Sequence, residues 1–177
     1  MAVRPDPNAK SHAEPPTDSV ALVVPPETGD SWWQPEPANG YAEVRVGRHN
    51  LPGQGRLSTG VQEIAPHSFI REHFHPVEEE LLFFWEGEGA VVIDGGEEQR
   101  VTPGTTVYLG PGRRHKIVND TDRPLKMMWT LLPGGLETFF GAIGRPRTEG
   151  QPAPAPFPRP EDVERIEAET VFGGAKS

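Results

Sequence analysis

The chain has 177 residues, no cysteine, 21 prolines, 20 glycines and a formal net charge of −9. The lack of cysteine excludes disulfides and thiolate metal sites, so any metal must take nitrogen and oxygen ligands. An acidic balance without a Lys/Arg block argues against nucleic-acid or anionic-membrane partners.

Residues 1–30 are polar and Pro-rich, and a disordered tail is expected there. "VALVV" (20–24) is too short for the apolar core of a signal peptide, and no apolar run approaches the roughly 20 residues of a spanning helix. A cytoplasmic, soluble protein is therefore expected. Trp32-Trp33 should dock across the body of the protein or a partner, because two exposed indoles are costly in water. From 31 to 133 short strand-like runs follow one another without an intervening helix: "YAEVRVG", "GVQEIAP", "SFIREHFH", "ELLFFWEG", a hairpin "AVVIDGGEEQRV" turning at Asp94-Gly95-Gly96, "TTVYLG", "RHKIVN" and "LKMMWTLL". This spacing predicts one all-β barrel or sandwich. Residues 134–177 should hold a helix with a Leu136, Phe139, Phe140, Ile143 stripe, a Pro-rich linker and a short C-terminal helix carrying Val163 and Ile166 on one face. Both helices are expected on the outside of the barrel. Every residue of Leu81–Trp85 is apolar, so the outward face of that strand needs a cover, and a homodimer is expected.

The chain has six histidines, and two of them stand one residue apart in "REHFHPVEEE". On a strand, His73 and His75 project to the same face. Two neutral imidazoles side by side are half a metal site. A carboxylate from the glutamates that follow and a third histidine from across the barrel, with His115 in "GRRHKIVN" as the candidate, would complete a three-nitrogen, one-oxygen set. Such a set leaves positions open for water, substrate or dioxygen. By strand parity Phe69, Arg71 and Phe84 are candidate substrate-binding residues, Arg71 as a cation for a carboxylate or phosphate. Glu78 and Glu79 are expected on a solvated edge.

"HFHPVEEELLFFWEG" resembles the first motif of the cupin superfamily, His-x-His, three or four residues, Glu, six residues, Gly, with Glu80 and Gly87 in register. "GTTVYLGPGRRHKIVN" is similar to the second, with Gly104, Gly112, His115 and Asn119. Two turn positions depart from the pattern: His67 stands for a glycine and Gly110 for a proline. The motifs occupy 67–87 and 104–119. The resemblance implies a single small double-stranded β-helix (cupin, jelly-roll) barrel with one or two short C-terminal helices. It also implies that His73, His75, Glu80 and His115 hold one divalent transition metal, iron or manganese first, with nickel, cobalt, copper and zinc chemically open.

A cupin hosts many chemistries. The expectation is a metal-dependent, dioxygenase-type oxygenase acting on a small aromatic or enolisable substrate, because no proton donor or base beyond the ligands has inward parity. Alternatives are a non-redox lyase, isomerase or polyketide-cyclase-like enzyme, and a non-catalytic small-molecule-binding module. The Pro-rich linker before the last helix is loosely similar to tails of quercetinase-like cupins.

Overall fold

The computed structural model describes residues 19–52 and 56–173, so most of the expected N-terminal tail, 1–18, lies outside the described residues. In chain order the elements are β1 Asp30–Trp33, β2 Tyr41–Val46, β3 Ser58–Ile64, β4 Ser68–His73, β5 Glu79–Glu86, β6 Gly89–Ile93, β7 Gln99–Val101, β8 Thr106–Leu109, β9 His115–Asn119, β10 Leu125–Leu132, α1 Leu136–Ile143, β11 Arg145–Pro146 and α2 Val163–Glu169. Two antiparallel sheets result, one of seven strands in the order β11-β1-β2-β3-β10-β5-β8, the other of four in the order β4-β9-β6-β7. They do not join into a closed cylinder. The expected barrel is a double-stranded β-helix of two sheets packed face to face.

Strand alternation builds the space between them. In β5, Leu82 and Phe84 are fully buried, and in β10 Met127, Trp129 and Leu131 do the same from the neighbouring strand. Ile70, Val91 and Ile117 meet them from the four-stranded sheet. Each fully buried side chain of this size stabilises the fold by about 1.5–3 kcal/mol. The β6–β7 hairpin turns where the sequence indicated: Asp94 and Gly95 both take positive φ, 51° and 69°, as a primed turn demands.

Two turn positions carry the motif residues. Gly87 has φ 81°, and a Cβ there would lie 2.2 Å from the Pro124 carbonyl oxygen, so only glycine fits. His67 replaces a motif glycine yet takes φ 53°, and its ring pairs with the Asp122 carboxylate at 2.7 Å. The side chain thus has a partner of its own in a backbone region that histidine tolerates better than most residues.

The C-terminal third differs from expectation. Leu136, Phe139, Phe140 and Ile143 of α1 are all buried, as the stripe requires, but they form a wall of the central cavity instead of packing outside it. The Pro-rich linker is extended and still anchored: Phe157 is buried, its carbonyl accepts from Glu36 N at 2.9 Å, and the Arg145 guanidinium lies 4.0 Å from its ring centroid. Trp32 and Trp33 form the strand β1, pairing with β2 and β11, and they do not reach the cavity. Among the described residues no helix is long and apolar enough to cross a membrane.

Candidate metal centre

His73 closes β4 and pairs directly with His115, which opens β9. Between Ile70 and His73 the register shifts, since three steps along β4 match two along β9 (Ile70 with Ile117, His73 with His115). The extra residue is a β-bulge that re-aims the strand. It turns both Ile70 and His73 inward and leaves Arg71 and Glu72 half-buried. His75 follows beyond the strand end, fixed by a bridge between Phe74 and Gly173. Glu80 is the first inward residue of β5.

All four side chains are buried, and one ligand atom from each lies within 4.8 Å of all the others. Backbone carbonyls set the tautomers. The Nδ1 atoms of His73, His75 and His115 face the carbonyl oxygens of Arg71 at 2.8 Å, Val171 at 2.7 Å and Arg113 at 3.1 Å. A carbonyl only accepts, so each Nδ1 carries the proton and each Nε2 presents a lone pair to the centre. Glu80 Oε2 lies 3.0 Å from His115 Nε2 and 3.5 Å from His75 Nε2. Acceptors facing acceptors in a buried space need a cation between them, and His75 Nε2, His115 Nε2 and Glu80 Oε2 have no hydrogen-bond partner. The residues therefore fit a single metal ion with borderline nitrogen and oxygen ligands.

The electrostatics agree. Burial, together with His115 and His75 nearby, holds the His73 pKa well below its ordinary value, so this ring stays neutral and ready to coordinate. Burial alone would raise the Glu80 carboxyl, but His115 and His75 hold it far below the usual carboxylate range. Burial would lower the His75 pKa, and the Glu80 carboxylate more than offsets this and raises it.

The sequence-derived neighbours sort differently. Phe69 is at the cavity rim, 36% exposed, with the Lys116 ammonium 4.6 Å from its ring centroid. Arg71 lines the cavity and is bonded to Glu167 of α2. Phe84 points inward but is sealed in the core below the cavity wall, so inward parity did not place it at the site. Glu79 is exposed, whereas Glu78 is buried and accepts from Val77 N at 3.2 Å, contrary to a solvated edge for both.

Sequence reasoning missed Phe172, Phe139, Arg159 and the pair Gln34–Gln62, all of which line the cavity. Phe172 stacks on His73 with ring centroids 4.1 Å apart and planes 7° apart. The apolar stripe of α1 signalled that Phe139 is buried but not against what. No local pattern pointed to Phe172 or Arg159.

Residues 60–131 match the family described as "Cupin domain". Over 96 residues the chain is 30% identical to the tetracenomycin polyketide synthase protein TcmJ of Streptomyces glaucescens, a match covering 54% of this chain and 62% of that protein. An uncharacterized protein of Methanocaldococcus jannaschii is 36% identical over 61 residues, 34% of this chain and 48% of that one. The chain thus spans less than two thirds of the length of these relatives. Among solved structures, the polyketide cyclase RemF from Streptomyces resistomycificus aligns with TM-score 0.56 at 18% identity, over 64% of this chain and 80% of that one. A predicted oxalate decarboxylase from Thermotoga maritima aligns with TM-score 0.53 at 18% identity, over 63% of this chain and 99% of that one. At that identity the two structures speak for the fold alone. Residues 60–131 thus match a cupin domain, and the two facing antiparallel sheets with a buried three-histidine, one-glutamate cluster between them have the fold of the solved cupin-like structures.

Proposed function

We propose that this protein is a metal-dependent oxygenase acting on a small organic substrate with a phenolic or enolisable oxygen. The observation that carries the reading is the contrast between the floor of the cavity and its walls. The floor offers three Nε2 lone pairs and one carboxylate; the walls are mainly apolar, from Ile117, Met127, Leu136, Phe139, Phe140 and Ile143. Such walls suit an apolar body held by its one oxygenated end. Among the described residues, the only carboxylate lining the cavity apart from Glu80 is Glu36, which is solvent-exposed. A reaction that needs a buried general acid or base finds none, beyond the four clustered residues, among the described residues that line the cavity, and this favours chemistry carried by a metal.

An ion held by His73, His75, Glu80 and His115 would supply electron exchange with dioxygen or Lewis acidity toward a substrate oxygen. The chain's own part is to keep the imidazoles neutral through their Nδ1–carbonyl bonds, to hold Glu80 ionised, and to exclude water with the Phe139 and Phe172 rings. A second reading, cyclisation of a polyketide-type substrate with a non-redox metal, is favoured by the 30% identity to a protein named for a polyketide synthase. Elemental analysis of protein purified without a metal-affinity column, with oxygen uptake in the presence of phenols and 1,3-dicarbonyls, separates the two. Iron, manganese or copper near one per chain with substrate-dependent uptake supports the oxygenase. Zinc without uptake rejects it in favour of the second reading.

A further inference from the structure

The cavity is already filled by the chain itself. About 60 Å³ of free space remains in it, whereas an apolar cavity known to take up benzene measures roughly 150 Å³. Phe172 is one of the side chains that fill the protein's cavity. Its ring lies between His73 and Phe139, 4.1 Å from each centroid and within 7° and 4° of their planes. A flat aromatic slot therefore exists directly above one of the metal-binding imidazoles.

Beside that slot are two guanidinium groups. Arg71 and Arg159 both line the cavity, and both engage one carboxylate, Glu167 of α2. Arg159 Nη1 is 3.6 Å from Glu167 Oε1, and Arg71 is hydrogen-bonded to the same oxygen. Glu167 is itself buried. Two guanidinium groups thus share one buried carboxylate. With Glu36, Glu80 and Glu167 set against the two arginines the site carries 2 − 3 = −1, which a divalent ion turns to +1 and loss of Glu167 from the arginines would raise further. The whole chain, by contrast, carries −9. Solvated anions are repelled by the surface in general and attracted at this one concavity.

We infer that the cavity takes an aromatic carboxylate, with Phe172 and Glu167 occupying the places of its ring and its carboxyl group. The ligand's ring replaces Phe172 between His73 and Phe139, and its carboxylate replaces Glu167 on Arg71 and Arg159. The exchange is one of side chains: the Val171 carbonyl that holds His75 Nδ1 stays in place. This narrows the substrate class of the proposed function and rests on reading the cavity as a substrate site.

The test measures binding instead of turnover, so its outcome is separate from that of oxygen uptake. Zinc-loaded full-length protein is titrated by calorimetry with 2-naphthoate and with its neutral counterpart 2-naphthamide. Phe172→Ala, which frees the slot, and Glu167→Gln, which weakens the competing anion, should each bind 2-naphthoate roughly tenfold tighter than wild type, the scale of one charge-assisted hydrogen bond. Adding Arg159→Gln to either should abolish that gain for 2-naphthoate and leave 2-naphthamide within twofold. If Phe172→Ala fails to fold, Glu167→Gln decides alone. Unchanged or weaker 2-naphthoate binding in the folded variants, or equal losses of both probes with Arg159→Gln, overturns the inference.

Discussion

His75 Nδ1 bonds the carbonyl oxygen of Val171 at 2.7 Å, across 96 residues of sequence, so the segment after α2 fixes the tautomer of a candidate metal ligand. The neighbouring Phe172 ring covers the face of His73 from the same segment. Partners that orient ligating histidines are worth about tenfold to a hundredfold in metal affinity. Truncation after Thr170 is therefore expected to weaken metal binding by about tenfold or more, read by competition with a chromogenic chelator. Unchanged affinity would mean that the segment merely rests on the site.

The register of the ligands is tested by a pair of glutamates. Glu80 is buried against His115 Nε2, while Glu79 is exposed on the other face of β5. Glu80→Gln removes the anionic ligand and should lower metal content severely; Glu79→Gln should leave it unchanged. The reverse order would place the strand one residue out of register.

Protonation gives a pH signature. Glu80 lies below its ordinary range in the metal-free protein, so its contribution to stability is present above pH 4.5 and is lost as pH falls through the folded value. His75 is raised above 6.5, so its contribution is present below that pH and is lost as pH rises through the folded value. Metal must displace the proton that His75 takes up below its raised pKa, whereas His73, held low, has none to displace. Metal affinity should therefore rise by about tenfold per pH unit up to the folded His75 value and then level off. The thermal shift on adding metal should accordingly be larger at pH 8 than at pH 6. A shift that shrinks with pH would mean that no proton competes with the metal at His75.

Asn119, a motif residue, has a structural task. Its Nδ2 faces the carbonyls of Ile64, Ala65 and Arg123 at 3.0, 3.0 and 2.7 Å, and its Oδ1 accepts from the Thr121 amide at 3.1 Å. It ties β9 to the turn after β3. Asn119→Ala leaves buried carbonyls unpaired and should cost about 2–3 kcal/mol by chemical denaturation, with metal stoichiometry retained in the folded fraction. Loss of metal without loss of stability would reassign Asn119 to the site.

The outward face of β5 is proposed as a homodimer interface. Leu81, Phe83 and Trp85 are each more than a third exposed and adjoin Tyr108 on β8 and Met128 on β10. Light scattering at micromolar concentration should give a dimer, and Phe83→Lys a monomer. A monomeric wild type that becomes dimeric on deleting residues 1–18 would show instead that the N-terminal segment covers the patch.

What was legible in the sequence was whatever depends on local pattern. The Asp94-Gly95 turn, the buried stripe of α1 and the His73–His75 pair are periodic or near in sequence; Glu80 and His115 were singled out through the resemblance to the two cupin motifs, and the four side chains do meet. The bulge before His73 was not legible, because an extra residue exists only relative to its pairing with β9. Phe84 shows the limit of parity: alternation gives the direction of a side chain but not whether a cavity lies at its tip. Glu167, Arg159 and Phe172 reach the site from about a hundred residues away, by a packing that no local periodicity encodes.

The metal centre itself is most directly tested by anomalous diffraction from crystals of the metal-loaded protein, collected at that metal's absorption edge. The account predicts one peak per chain, within coordination distance of the Nε2 atoms of His73, His75 and His115 and of a Glu80 carboxylate oxygen. A peak elsewhere, or an ion whose occupancy survives His115→Ala, would contradict it.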